Sequence, residues 1–188
     1  ADHMYVGLEN QVYKSTDGGT TFEVIYTFSS GMIYEMEISR SNPNVIYAVL
    51  NPTAGYWDPC EIWKSTDAGI SWNKTSADPS GNRRRFRISI HPEDENKVWI
   101  CTPRGVDGSK VHYTQDGGVT WQNKTTSTLN GEDVADILYQ GGTNDIVYLA
   151  QTLSSPNQEN FYGINSYQIK GELDAHQILM LTEYNSIL

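Results

Sequence analysis

One eight-residue pattern occurs three times in this chain. The copies are Ser15-Thr-Asp17-Gly-Gly19-Thr-Thr21-Phe22, Ser65-Thr-Asp67-Ala-Gly69-Ile-Ser71-Trp72 and Thr114-Gln-Asp116-Gly-Gly118-Val-Thr120-Trp121. Their aspartates stand 50 and then 49 residues apart (Asp17 to Asp67, Asp67 to Asp116). A fixed period of that length marks an array of one supersecondary unit, a propeller or a solenoid. Such frameworks host many unrelated activities, so the repeat constrains the fold far more than the function.

Residues 30–78 show what one unit contains. Ile33–Ser39 alternates in part, as a half-buried strand does. Ser41-Asn-Pro-Asn44 has turn chemistry, with a preset proline φ and asparagines that bond the local backbone. Val45–Leu50 is a continuous apolar run, fitting a strand buried on both faces. Asn51–Pro59 is a loop, Cys60–Ser65 a third strand, and the aspartate pattern turns the chain into a fourth, Ser71–Thr75. The next unit, 79–127, repeats the order: Phe86–Ile90, a turn over His91–Asn96, Val98–Cys101, Lys110–Thr114, the pattern, then Thr120–Thr125. A last unit, 128–188, begins with Val134–Tyr139 and Ile146–Ala150 and continues with Ser166–Lys170 and Ile178–Thr182; Gly171–Gln177 replaces the pattern there.

Four antiparallel strands per roughly 50 residues is the unit of a β-propeller blade. The expected fold is therefore all-β: three full four-stranded antiparallel blades plus a partial one, in a single domain, 1–188. The partial blade, 1–29, offers only Met4–Gly7, Gln11–Lys14 and Thr21–Tyr26 and lacks an innermost strand. We expect a segment of a larger propeller, its open edges covered by the rest of the ring or by another chain, because unclosed sheet edges and apolar faces invite association. The alternatives are a four-bladed ring closed by Tyr184–Leu188, or two half-rings paired.

The formal net charge of −10 argues against a nucleic-acid partner, whose phosphates need a basic face. No apolar run approaches the roughly 20 residues of a membrane-spanning helix. Cys60 and Cys101 lack metal-ligand spacing. They fit either a bridge between adjacent blades, as in an exported protein, or two small buried side chains. His91 and His112, with His3 and His176 near the ends, form no metal pair or nucleophile–base set and read as surface or strand-end residues. Neither a cofactor nor a metal is expected. Asn73-Lys-Thr75 and Asn123-Lys-Thr125 fit the glycosylation sequon at equivalent positions of two units.

Each residue of the repeated pattern has a folding task. The aspartate accepts main-chain N–H bonds from two residues on, and Ser15, Ser65 or Thr114 braces the same turn. Gly19, Gly69 and Gly118 supply a positive φ. Phe22, Trp72 and Trp121 pack between neighbouring blades, each burying on the order of 200 Å². Asp17, Asp67 and Asp116 are thus structural and spread over successive blades, too far apart to share a metal or substrate.

The pattern resembles the Asp-box, or bacterial neuraminidase repeat, of sialidases, xyloglucan-active glucanases, sortilin-type receptors and secreted bacterial surface proteins. Full motifs cover residues 4–125, and the resemblance extends weakly to about 182. It implies that any ligand site lies on the face opposite the Asp-boxes, made by the second-to-third-strand loops and the blade-to-blade loops. There Tyr56 and Trp57 could stack on a sugar ring beside Asp58, and Arg104 and Asp107 occupy the equivalent loop of the next blade; the bland readings are a core cap and a solvated loop. Glycoside hydrolysis needs two facing carboxylates about 5–10 Å apart. Asp58 and Asp107 are the weak catalytic candidates, with Glu132 and Asp133 further options, and nothing in the sequence pairs them. Arg83, Arg84, Arg85 and Arg87 alternate between faces, which argues against a sialidase carboxylate clamp.

The first expectation is an extracellular recognition or scaffold module presenting loops to a glycan or protein ligand. A glycoside hydrolase, xyloglucanase-like rather than sialidase, is the second, with catalytic residues partly outside this chain. A sortilin-like receptor, with its ligand in the ring's tunnel, is the third.

Overall fold

The computed structural model describes residues 3–53, 59–75, 86–102, 111–125, 133–140 and 146–152, with short strands at 167–168, 172–173 and 176–177. All regular structure in these residues is β. The first sheet has three strands, β1 (Met4–Leu8), β2 (Gln11–Ser15) and β3 (Glu23–Thr27), in that order. The second has four: β4 (Met32–Ile38), β5 (Ile46–Asn51), β6 (Glu61–Ser65) and β7 (Asn73–Lys74). The third repeats it with β8 (Arg87–His91), β9 (Asp94–Cys101), β10 (Val111–Thr114) and β11 (Gln122–Asn123). Neighbouring strands in these three sheets pair antiparallel. Within the third sheet the turn is tighter than the sequence suggests: β8 reaches His91 and β9 starts at Asp94, with His91 Nδ1 accepting the Glu93 N–H at 3.1 Å.

The fourth sheet departs from the repeat. Here β12 (Asp133–Gln140) pairs antiparallel with β13 (Ile146–Thr152), which also pairs with β14 (Tyr167–Gln168). In place of an aspartate turn, β15 (Glu172–Leu173) and β16 (His176–Gln177) form a small hairpin, and β16 meets β13 in parallel at Ile146 and Gln177. The expected last strand, Ile178–Thr182, lies outside the described residues.

The sheets stack in chain order, and the core lies in three seams between them. Val12 and Phe28 of the first sheet close on Ile33, Ile46, Ala48, Leu50 and Trp72 of the second. The second seam joins Val45, Tyr47, Val49, Cys60 and Ile62 to Phe86, Ile88, Ile90, Val98 and Ile100. The third joins Trp99, Cys101, Val111 and Tyr113 to Ile137, Tyr139, Val147 and Leu149. Side chains alternate across a strand, so β9 sends Val98 and Ile100 into one seam and Trp99 and Cys101 into the next. All six residues of β5 are buried because both of its faces meet a neighbouring sheet.

The same alternation rules out the cysteine bridge. Cys60 lies in the second seam and Cys101 in the third, on the opposite face of the third sheet, and the two are buried and not joined in a disulfide. His112 corrects another expectation: it is 2 % exposed in mid-β10, and burial pulls its pKa down to about 4. His91 ends β8 as expected but is buried, its ring set edge-on to Tyr139 at 4.7 Å.

The aspartate turns reveal how the strands are tied. Asp67 Oδ1 accepts the Ser71 N–H at 2.9 Å, and Oδ2 accepts the Ser71 hydroxyl at 2.6 Å. The Ser65 hydroxyl donates to Asp67 at 2.8 Å and accepts the Gly69 N–H at 2.9 Å. Thr120, Thr114 and Gly118 repeat this around Asp116, and Thr21, Ser15 and Gly19 around Asp17. The carboxylate thus reaches four residues on, rather than two. The hydroxyl residue at that position, Thr21, Ser71 or Thr120, is the aspartate's side-chain partner.

Glycine is demanded twice over in these turns. Gly69 and Gly118 have φ of 87° and 94°. A Cβ there would stand 2.9 Å from Ile25 Cδ1 or 2.8 Å from Thr75 Cγ2, both side chains of the preceding blade. The position before is glycine in two copies, but Ala68 holds it at φ 60° in the second. Phe22 shows what a seam does for the terminal aromatic: Trp72 is 6 % exposed against the first sheet, whereas Phe22, with no described sheet before it, is 40 % exposed.

Two outcomes are expected. Ala68→Gly should stabilise the chain by roughly 0.5–1 kcal/mol by relieving a left-handed alanine, while Gly69→Ala should cost about 1–3 kcal/mol in denaturant unfolding. Alkylation of the native protein should leave both cysteines unmodified until it unfolds, since burial pushes the Cys101 thiol well up.

Candidate functional site on the inner strands

The first strand of each complete sheet has one edge turned away from its own blade. A bare edge of main-chain N–H groups is costly when buried. Side chains from the preceding blade cover such edges at β8 and β12. Glu35 of β4 accepts the Ile88 N–H of β8 at 3.2 Å, and Glu37 accepts the Ile90 N–H at 3.2 Å. One blade further on, Ser89 accepts the Tyr139 N–H of β12 at 2.9 Å. Register makes Glu37 and Ser89 equivalent, because Tyr47 and Trp99, their cross-strand partners, sit at matching places relative to Ser65 and Thr114.

Glu35 also accepts from the Arg87 guanidinium at 3.0 Å. Arg87 is the residue of β8 equivalent to Glu35, and Asp136 holds that place on β12 beside Ile137. The inner strands therefore carry a row of alternating charge: Glu35, Arg87, Asp136. Burial raises the Glu35 carboxyl even with Arg87 pulling the other way. Glu37 is pushed up to about 7, first by burial and further by the charges of Glu35 and Asp136, against the pull of its Ile90 bond and Arg40. Burial works against the Arg87 charge, yet its bond and attraction to Glu35, with help from Asp136, hold its pKa up. Chemically, this surface captures main-chain donors and pairs cations with half-buried carboxylates. Beside it a cavity of about 200 Å³ opens between β1 and β4, lined by Tyr5, Gly7, Ile33, Tyr34, Glu35 and Met36.

Connectivity separates the two ends of each blade. The aspartate turns follow β6 and β10, so the segments leading into those strands, 52–60 and 102–110, leave from the opposite end. Tyr56, Trp57, Asp58, Arg104 and Asp107 belong to these segments and lie outside the described residues, as does Glu132. Asp133 opens β12 opposite Thr152. None of these candidates is brought together with another by the described residues. Glu35 and Glu37 were missed at sequence level; their signal was an acidic pair at alternate positions of an otherwise apolar strand.

The fold and this repeated architecture define a β-propeller protein with neuraminidase-type repeats. Residues 10–168 match the Sortilin-Vps10 family, described as "Sortilin, neurotensin receptor 3,", and the chain belongs to that family. It is 24% identical over 131 residues to a xyloglucanase of Acetivibrio thermocellus, covering 64% of this chain and 15% of that protein. It is 26% identical over 117 residues to vacuolar protein sorting/targeting protein 10 of Chaetomium globosum, covering 56% of this chain and 7% of that one. The GH74 xyloglucanase of Xanthomonas campestris superposes with a TM-score of 0.59 at 12% identity, over 89% of this chain and 27% of that chain. The chain thus spans a small part of the length of these relatives.

A bell-shaped stability profile is expected. Glu37 binds its proton more tightly in the fold than its ordinary 4.5, so stability falls as pH rises from about 4.5 through 7. Asp17 and Asp116 are held down to about 2, chiefly by the hydroxyl and N–H of Thr21 and Thr120, so stability also falls as pH drops from 3.8 through about 2. Denaturant midpoints should peak at about pH 4–5. Glu37→Gln keeps an acceptor for Ile90, and it should raise stability at pH 8 by roughly 1–3 kcal/mol and flatten the upper limb.

Proposed function

We propose that this chain is a ligand-recognition module within a larger propeller, extracellular or at the cell surface, presenting loops to a glycan or protein ligand. The observation that carries this reading is the state of the three repeated aspartates: each carboxylate is engaged by its own turn. The repeat is then scaffold, and recognition falls to the opposite end of the strands, from which the segments holding Tyr56, Trp57, Asp58, Arg104 and Asp107 depart. Membership of the Sortilin-Vps10 family supports a protein ligand. Similarity to xyloglucanases supports the second reading, part of a glycoside hydrolase cleft with Asp58 or Asp107 as one carboxylate. The remaining blades, or another chain, complete the ring.

Xyloglucan oligosaccharides and a displayed peptide library, each offered to the 188-residue chain, separate these readings. Binding without turnover, weakened at least about tenfold by Trp57→Ala or Tyr56→Ala, is the expected result. Release of reducing sugar that Asp58→Ala or Asp107→Ala abolishes would replace the module by the hydrolase.

A further inference from the structure

We propose that Asn73 and Asn123 are acceptors for N-linked glycans, and that both glycans stand at the outer mouth of the second seam. This rests on the extracellular placement proposed above, since the sugar donor is met on the export route.

Asn73-Lys-Thr75 and Asn123-Lys-Thr125 are the chain's two sequons; Asn51-Pro-Thr53 is disqualified by its proline. A glycan is bulky and hydrophilic, so its asparagine must stay at the surface after folding. Each acceptor lies on the outermost strand of its blade. β7 ends the order β4-β5-β6-β7, and β11 lies outermost in the third sheet beside β10. Both residues of each strand are exposed. The aromatics just before them, Trp72 and Trp121, pack into the seams, so alternation leaves the acceptors open to solvent without disturbing the core.

Register corrects the equivalence that the sequence suggests. Asn73 stands opposite Lys64, the residue before Ser65. Gln122 stands opposite Tyr113, the residue before Thr114. Asn73 therefore matches Gln122, and Asn123 is one residue further on, opposite His112. A shift of one residue is a change of face. Asn73 shares its face with Lys64 and Tyr47, and Tyr47 lines the second seam. Asn123 shares its face with His112 and Ile100, and Ile100 lines the same seam from the third sheet. At equivalent positions the two would have faced successive seams. The offset turns both toward one.

Outermost strands present unpaired main-chain groups, at which sheets join those of other molecules. Glycans flanking the second seam screen the β7 and β11 edges. They leave both ends of the strands, the aspartate turns and the loop-bearing end, clear for ligands. In the transfer the asparagine Nδ2 attacks the anomeric carbon of an oligosaccharide carried on a lipid pyrophosphate. A C–N bond forms, the C–O bond to the pyrophosphate breaks, the lipid pyrophosphate leaves, and the amide loses one proton.

The test is expression of the 188-residue chain behind a secretion signal in eukaryotic cells, followed by glycopeptide mass spectrometry. Glycans are expected at Asn73 and Asn123 and not at Asn51, and Asn73→Gln and Asn123→Gln should each remove one. Transfer precedes export, so chain retained in the cell is scored with chain in the medium. Bare asparagines in both fractions would overturn the proposal. Glycosylated chain that stays in the cell would support it while counting against the extracellular reading. The shared mouth is checked by spin labels on Asn73→Cys with Asn123→Cys, against Asn73→Cys with Gln122→Cys. The first pair should be the closer, and an equal or reversed order would overturn the shared placement.

Discussion

Side-chain oxygens that accept main-chain N–H groups hold this molecule in shape. A stack of twisted sheets has two places where the ladder of main-chain bonds runs out: the hairpin turns at the rim and the innermost strand edges. At the rim, Asp17, Asp67 and Asp116 with their hydroxyl partners take up those donors. At the inner edge, Glu35, Glu37 and Ser89 do so from the neighbouring blade. The rim bonds are local, within five residues. The inner bonds join residues about one period apart, and so convert separate sheets into one body.

The two sets differ in electrostatic character because they differ in burial. The rim carboxylates stand in water, so their hydrogen bonds lower their pKa with little opposition. Glu35 and Glu37 lie between packed strands, where the lost hydration outweighs the bonds and raises them. The same bond type therefore favours the fold in opposite directions of pH. Arg87 offsets part of this cost at Glu35 but not at Glu37, which is why the second of two alternate glutamates is the one brought near neutrality.

Much of the fold could be read from the chain because the repeat carries its own register. Once Asp17, Asp67 and Asp116 are aligned, the strands flanking them fall into place, and the buried run of Ile46–Leu50 and the exposed outer strands follow from alternation. What stayed hidden depends on which seam a side chain enters. Cys60 and Cys101 looked like partners because both end strands on the same side. Only the face alternation of β9 against a third sheet shows that they enter different seams. His112 was hidden for a related reason: β10 is covered on both faces, and a polar side chain in mid-strand gives no sign of that. The inner-strand glutamates were legible as letters but not as caps, since their partners lie 53 residues away in the next unit.

Near-identical repeats carry a risk that the inner row of charge addresses. Units that share a turn motif, a strand order and an apolar seam can pack out of sequence or exchange between molecules. The apolar contacts discriminate poorly here, because β-branched and aromatic residues fill all three seams. The charges discriminate well: Glu35 meets Arg87, Arg87 faces Asp136, and a skipped blade would set Glu35 against Asp136. Like charges in a half-buried setting disfavour that arrangement, whereas the true order gains an ion pair and two caps. Half-burying Glu35 and Glu37 costs stability in the correct fold, and it costs more in the wrong ones. On this view the raised pKa of Glu37 is a by-product of specificity: the group that identifies the neighbouring blade must sit where water is scarce enough for its charge to matter.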